Sequence, residues 1–416
     1  MKRSVRDLPV QGRRVLIRAD LNVPLSGGVI SDDRRIRMSL PTVLDVLNRG
    51  GRAILMSHLG RPTGDPAKDC GLSLAPVAER IGELIGQTCA FAGDCVGRVA
   101  EGAARELADG EALLLENLRF HDAETVIDLA KQNPDGRLSP DQDRARQEFG
   151  RGLAALGELY VNDAFGTCHR KHVSMYDVPR LLGPGKTAVG FLVQKELEFL
   201  GQAVQNPARP FVAILGGAKV SDKIGVIRNL APRVDLILIG GAMTYTFWAA
   251  QGRGVGKSLC ERDKLDLARG LLAEFGEKLR LPVDSIAAGA LEAGAPTRVV
   301  AGDLPAELMG LDIGPATIAQ FRDDIRAART IVWNGPVGAF ETPPFDQGTT
   351  ALAREIAEAT DAGAISVIGG GDSAAAIEAA GLAERVTHIS TGGGASLKFL
   401  EGKKFDPIEI IDEAQA

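Results

Sequence analysis

Two lysines set four apart, Lys219 and Lys223, lie in the string Leu215-Gly216-Gly217-Ala218-Lys219-Val220-Ser221-Asp222-Lys223, directly after an apolar β-type run. Such glycines let backbone amides approach an anion, and the free amides of a following helix attract one. Residues 222–230 have a helix-like pattern, and on a helical turn the two lysines would project from one face. By itself the string reads equally well as a tight turn with two solvated lysines. The theme recurs, however, in Ile239-Gly240-Gly241-Ala242, in Ile368-Gly369-Gly370-Gly371-Asp372-Ser373 and in Ser390-Thr391-Gly392-Gly393-Gly394-Ala395-Ser396. Four glycine loops after four strands point to the phosphates of a nucleotide, and Asp372 offers a carboxylate that could hold Mg2+ directly or through water. Asn334 adds an amide at a further strand end, and Glu341 an acceptor for ribose hydroxyls. Trp333 reads as core.

The first half of the chain carries a different chemistry at the corresponding positions. Arg18-Ala19-Asp20-Leu21-Asn22 ends one apolar run, and Arg34, Arg35 and Arg37 follow shortly after. Ser57-His58-Leu59-Gly60-Arg61-Pro62 ends another, and Arg119 and then Asp163-Ala164-Phe165-Gly166-Thr167-Cys168-His169-Arg170 follow two more. One such arginine is ordinary surface charge. Several at successive strand ends repel one another unless an anion is expected, and the planar guanidinium grips phosphate and carboxylate with two parallel bonds.

Other chemistries lack their signatures. There is no GxSxG elbow, no HExxH helix, no cysteine beside an obvious base, and no strand–GxGxxG–helix unit with a following acid. Two strings imitate a P-loop, Gly252–Ser258 by number 252–258 and residues 183–187, but Gln251 and Arg180 stand where the first glycine is required. Both read as solvated turns. A site rich in cations and amides, with no nucleophile, suits phosphoryl transfer driven by positioning and charge neutralisation.

The elements that must hold these loops are short apolar runs alternating with amphipathic stretches. Runs at 15–18, 53–57, 112–115, 159–162, 211–215, 236–239, 330–333, 365–368 and 388–390 predict strands of parallel sheets covered on both faces. Helices are expected at 41–48, closing at Gly50-Gly51, at 193–206 and at 244–251. Ligands of open α/β sheets sit beyond the carboxyl ends of the strands, where the arginines and glycines fall. The change from one chemistry to the other comes at the Pro- and Gly-rich stretch 179–185, which marks a domain boundary. Residues 132–146, polar with two prolines, predict a surface excursion.

With 416 residues the chain suits two domains. A net charge of −6 argues against a general nucleic-acid binder, so positive charge must be concentrated locally. The five cysteines, Cys70, Cys89, Cys95, Cys168 and Cys260, form no CxxC pair and read as reduced thiols, not a disulfide frame or a zinc site. The start of the chain has no apolar leader and no run is long enough to span a bilayer, so the cytoplasm is the expected location.

The strings RADLNVP, SHLGRP, DAFGTCHR, GGAKVSDKI, VWNGPVGAFE, GGGDS and STGGGAS stand in this order over nearly the whole chain, and together they resemble the phosphoglycerate kinases. The resemblance implies a phosphotransferase with a carboxyl acceptor. Its reaction would be reversible, Mg2+-dependent transfer between ATP and 3-phosphoglycerate giving ADP and 1,3-bisphosphoglycerate, in glycolysis, gluconeogenesis or carbon fixation. It implies two Rossmann-like three-layer α/β/α domains with parallel sheets joined by a hinge helix. Residues 1–178 would bind the acid, 186–398 the nucleotide, and 399–416 would return to the first domain. Matched residue by residue, 3-phosphoglycerate should meet Asp20, Asn22, Arg35, His58, Leu59, Gly60, Arg61, Arg119, His169 and Arg170. The nucleotide should meet Lys195, Gly216, Gly217, Lys219, Lys223, Gly240, Gly241, Gly310, Leu311, Asn334, Glu341, Gly370, Gly371, Asp372, Ser373, Gly393 and Gly394. Arg35 and Lys219 would stabilise the phosphoryl group in transit and Asp372 would carry the Mg2+. A monomer acting on small molecules is implied, with neither nucleic acid nor membrane. Ser373 stands where the family usually has Thr and keeps the hydroxyl, and the excursion at 132–146 is longer than in compact bacterial members. A catalytically inactive relative serving as a binding or scaffold protein is the alternative. Loss of Arg35, Lys219 or Asp372 would mark it, and all three are present.

Overall fold

Runs that are apolar on both sides become strands buried on both faces. In the computed structural model, which describes residues 1–129 and 137–414, the chain forms two compact units, Met1–Glu196 with Lys404–Ala416 and Leu197–Lys403. The first holds β1 (Arg14–Ala19), the hairpin β2 (Leu25–Ser26) and β3 (Val29–Ile30), then β4 (Arg52–Met56), β5 (Cys89–Ala92), β6 (Ala112–Leu115), β7 (Leu159–Asp163) and β8 (Thr187–Val189). Six of these make one sheet in the order β5-β6-β4-β1-β7-β8, with every neighbouring pair parallel. Val15, Ile17 and Val161 on one face pack with Val43 and Val46 of the helix Arg34–Asn48 and with Val77 and Ile81 of the helix Ala75–Ile85. Leu16, Ile54, Leu113 and Tyr160, which point the other way, are also fully buried, so both faces are covered. Burying each such side chain contributes roughly 1.5–3 kcal/mol.

The second unit holds β9 (Phe211–Leu215), β10 (Leu236–Ile239), β11 (Leu279–Arg280), β12 (Asp284–Ala288), β13 (Arg298–Ala301), β14 (Met309–Ile313), β15 (Thr330–Asn334), β16 (Ile365–Gly369) and β17 (His388–Ile389). A parallel sheet runs β11-β10-β9-β15-β16-β17, and β13-β12-β14 form a separate antiparallel sheet. Trp333, Ile214 and Ile331 lie in the core of the parallel sheet, with Phe321 and Ile325 of the helix Pro315–Ala327. All nine expected strands are present. The hairpin β2–β3, the short strands β5 and β8, the edge strand β11 and the antiparallel sheet are additions.

Several boundaries differ from the sequence expectation. The first long helix starts at Arg34, not at residue 41, and carries Pro41 in its interior. It ends as expected, with the amides of Gly50 and Gly51 closing on the carbonyls of Leu47 and Val46, each at 2.9 Å. The helix expected from residue 222 starts at Ile224, so Lys219 lies in a loop and Lys223 at the helix start, and they do not share a helical face. In the polar stretch 132–146, residues 132–136 lie outside the described residues, while Pro140–Ala155 is a helix capped by a reciprocal pair of bonds between Ser139 and Gln142. Residues 252–258 and 183–187 each follow a helix, Met243–Ala250 and Val178–Leu182, as a turn does and a P-loop does not.

The division between the units falls inside the helix Phe191–Gln205 rather than at 179–185. The first turn of that helix is tied to the first unit: the Phe191 amide donates to Thr42 Oγ1 at 2.9 Å, and those of Leu192 and Val193 donate to Asp163 Oδ1 at 2.9 and 3.2 Å. The far boundary lies past residue 398 because Asn229 Nδ2 of the second unit holds the Leu400 carbonyl at 2.6 Å. Beyond it, Ala414 donates to the Met1 carbonyl and Arg3 to that of Asp412, both at 2.8 Å, and Thr187 donates to the Asp412 carboxylate. Among the described residues no helix is long and apolar enough to cross a membrane.

Candidate active site

In the first sheet the chain leaves β1 toward β4 on one side, and β7 pairs with β1 on the other, so the carboxyl end of β1 is a topological switch point. Arg18, near the end of β1, is not a surface charge but fully buried. Its Nε donates to Ser174 Oγ at 3.0 Å, and one terminal nitrogen faces His58 Nδ1 at 3.1 Å. A guanidinium only donates, so Nδ1 must accept and the ring proton sits on Nε2. Burial first, then the charges of Arg18 and Arg119, hold the His58 imidazole well below its usual pKa. His58 is thus a neutral donor. Ser174 in turn donates to the buried Glu124 at 2.6 Å, which gives the Arg18 charge a counter-charge through one hydroxyl.

The loops above this layer are held by amides. Asn22 Oδ1 accepts the Gly60 amide at 2.8 Å, and the buried Asn117 bonds both the amide and the carbonyl of Leu59. Arg119 is anchored on the Gly60 carbonyl at 2.6 Å, and Arg35 on Asp20 at 2.8 Å. Arg170 bridges His169 and Asp128, and Asp128 also meets the buried His172. Arg61 is exposed and, among the described residues, has no hydrogen bond or ion pair. Burial, reinforced by Arg18, Arg170 and Arg61, brings the Arg119 guanidinium down to about 10. Cations therefore crowd here with too few anions. Asp163, from the same motif as His169, is turned inward to cap the helix at Phe191, and burial pushes its carboxyl up to about 7 against the pull of Thr42 and the Val193 and Leu192 amides.

In the second sheet the same rule singles out β9 and its neighbour β15, where the chain winds away in opposite directions. Gly216 donates to the Asn334 carbonyl at 3.0 Å. A Cβ on Gly216 would collide with the carbonyl oxygens of Gly335 and Pro336, and Gly335 has φ of +96°. The backbones close up because no side chain intervenes. Gly241 donates to the Val337 carbonyl at 2.9 Å and Met243 to that of Gly217 at 3.0 Å, so the first two glycine loops and the segment after β15 form one layer of backbone. Asn334 Nδ2 holds the Gly369 carbonyl at 2.8 Å, and Ser373 Oγ accepts the Gly335 amide at 2.6 Å. Lys223 Nζ reaches Asn334 Oδ1, and burial draws its ammonium below the usual value while Asp222 and Asp372 pull it up. Lys219 and Asp372 are exposed and, among the described residues, neither has an ion pair or hydrogen bond to a side chain. Gly370 and Gly393 precede the helices Gly371–Ala379 and Gly394–Leu400. Leu311, next to Gly310 on β14, accepts from the Ala339 amide at 2.8 Å, two residues before the exposed Glu341.

A family model described as phosphoglycerate kinase matches residues 5–403. The chain belongs to the phosphoglycerate kinase family. Among similar curated proteins, phosphoglycerate kinase of Rhodopirellula baltica is 51% identical over 417 residues, covering 99% of this chain and 100% of its own. That of Lactobacillus helveticus is 49% identical over 414 residues, covering 99% of each. The solved phosphoglycerate kinase of Coxiella burnetii superposes with a TM-score of 0.84 at 37% identity over 99% of both chains. The one from Pyrococcus horikoshii gives 0.79 at 31%, covering 99% of this chain and 98% of the other.

As a phosphoglycerate kinase family member the chain is a transferase. The residues expected to meet the acid all lie in the first unit. Those expected to meet the nucleotide lie in the second, except Lys195, which is exposed on the helix Phe191–Gln205 within the first. Sequence reasoning missed Asn117, Ser174 and Glu124. Each is a polar residue among others in the sequence, and only the three-dimensional pairing shows what it holds. It also set Arg18 among the anion-facing arginines, where the structure makes it the buried support of His58.

Proposed function

We propose that this kinase catalyses reversible transfer of the γ-phosphoryl group of ATP to the carboxylate of 3-phosphoglycerate, giving ADP and 1,3-bisphosphoglycerate. The observation that carries this reading is the excess of cations in the first unit. The charges of Arg18, Arg35, Arg61 and Arg170 stand close enough to lower Arg119 or His58, a penalty that a small ligand with a phosphate and a carboxylate removes. The layer of glycine loops in the second unit suits a polyphosphate, since amides and exposed lysine charge converge without side chains in the way.

The chemistry asks little of the protein beyond position and charge. A carboxylate is already a nucleophile and an acyl phosphate already a good leaving group, so no general base is needed. Arg35, steadied by Asp20, stabilises the moving phosphoryl group from the acid side and Lys219 from the nucleotide side. His58 donates through Nε2–H to the acid. Mg2+ fits the residues present: Asp372 is an exposed carboxylate on the first turn of a helix, and Mg2+ favours one or two carboxylates with phosphate oxygens and waters. When bound with the nucleotide it neutralises charge on the phosphates. The reading needs only small-molecule substrates, with no nucleic acid, membrane or second copy. A coupled assay with ATP, Mg2+ and 3-phosphoglycerate tests it. Turnover that depends on all three and collapses in Lys219→Ala is expected, and no turnover in the unaltered protein sinks it.

A further inference from the structure

Three metal-binding side chains that serve neither substrate loop meet at one spot in the first unit. Asp94 and Cys95 follow β5, and His121 follows the short turn Leu118–Phe120 beyond β6. One donor atom from each, a carboxylate oxygen, Sγ and an imidazole nitrogen, lies within 4.8 Å of the other two. His121 Nε2 and Asp94 Oδ1 are 2.8 Å apart, and Cys95 Sγ donates to the Glu116 carbonyl at 3.0 Å. The His121 ring is stacked on Phe149 at 4.7 Å between centroids, which fixes its plane.

The geometry points to a site for one soft or borderline divalent cation, Zn2+ above all, held by Asp94, Cys95 and His121 with a water in the fourth position. With metal–ligand bonds of about 2.0–2.3 Å, donors at neighbouring corners of a tetrahedron stand roughly 3.3–3.8 Å apart. Reaching that spacing takes a rotation of the partly exposed Asp94 side chain, whose carboxylate now stands 2.8 Å from His121 Nε2. The surroundings favour a cation. The carboxylates of Asp94, Glu116 and Glu124 stand near the Cys95 sulfur, and their combined negative field attracts a cation. Glu116 itself is spoken for, accepting from Leu74, Asn117 and Ser73. On binding, the thiol proton leaves to solvent and the imidazole proton passes to Nδ1. One metal enters and one proton is released, with no change in oxidation state.

The linear sequence hides this set, because a cysteine zinc site is sought as paired cysteines and this one has a single thiol. It is also distinct in kind from Asp372, whose oxygen alone suits Mg2+. A metal here would clamp the end of the turn that carries Arg119.

The probe is Co2+, which reports a thiolate ligand by a near-ultraviolet charge-transfer band. The full-length protein with Cys70→Ser and Cys260→Ser removes the two less buried thiols. One equivalent of Co2+ should give the band and release one proton, and Zn2+ but not excess Mg2+ should abolish it. Cys95→Ser should remove the band. His121→Ala, a change at a part-exposed ring, should keep a thiolate band but weaken affinity at least tenfold. Absence of the band, its survival in Cys95→Ser, or unchanged affinity in His121→Ala overturns the site.

Discussion

Asp163→Asn should shift the stability of the first unit in favour of Asn by an amount that grows with pH. The carboxyl is fully buried and its folded pKa rises from 3.8 to about 7. The folded state therefore holds a proton that the unfolded chain has already released. Stability falls as pH climbs from about 4 toward 7 and is level above it. Each unit of pKa is worth about 1.36 kcal/mol, so near pH 8 the opposition to folding is about 4 kcal/mol, and near pH 5 only about 1.5–2 kcal/mol. Asparagine keeps Oδ1 as the acceptor for Leu192 and Val193 but does not titrate. The stability of the Asn variant relative to Asp should therefore rise by about 2–3 kcal/mol between those two pH values. Both tryptophans, Trp248 and Trp333, belong to the second unit, so their fluorescence reports the wrong one. Hydrogen exchange at the Leu192 and Val193 amides is the direct readout, with both proteins compared at the same pH so that intrinsic exchange cancels. A difference that stays constant with pH refutes the reasoning, since the carboxyl would then titrate alike in both states.

Lys219→Ala should lower kcat by a hundredfold or more, about 3 kcal/mol, while ADP affinity measured by calorimetry changes far less; an unaltered kcat removes Lys219 from the chemistry. Arg119→Met should weaken 3-phosphoglycerate by tenfold or more, about 1.5–3 kcal/mol for a charged hydrogen bond, and leave ADP untouched. Equal loss of both ligands would contradict the assignment of the two units. Asp372→Asn should impair Mg2+-nucleotide binding much more than binding of the metal-free nucleotide. If both suffer alike, Asp372 serves only the start of its helix.

The strands were legible where a run of Val, Ile and Leu has both faces to bury, as in Phe211–Leu215 or Ala112–Leu115. They were not legible where length or composition is too slight. Cys89–Ala92 is four residues of mixed size, and Thr187–Val189 is three residues behind a Pro–Gly turn, joined to the sheet by the pairing of Tyr160 with Thr187. The antiparallel strands Asp284–Ala288 and Met309–Ile313 mix Asp, Ser and Gly with their apolar residues and are held by each other, a long-range fact. Pro41 misled because proline suits a helix start, yet here it lies mid-helix. In the candidate site, residue types and loop positions could be read directly. Which cation faces outward and which supports it could not: Arg18 and Arg35 look alike in sequence, and only pairing with Ser174 and His58, against pairing with Asp20, separates them.

Residues 404–414 complete the first unit, through the bonds of Arg3 and Thr187 to Asp412 and of Ala414 to Met1. In the order of synthesis the second unit is therefore a continuous stretch that can close on itself as it emerges, while the first must wait for a segment made after it. Until then the Thr187 hydroxyl and amide lack their partner. Joining residues 1 and 414 by a short linker and opening the chain in an exposed loop of the first unit would make that unit's own pieces arrive sooner. Such a permuted chain should fold faster on the ribosome without any change in the final set of contacts.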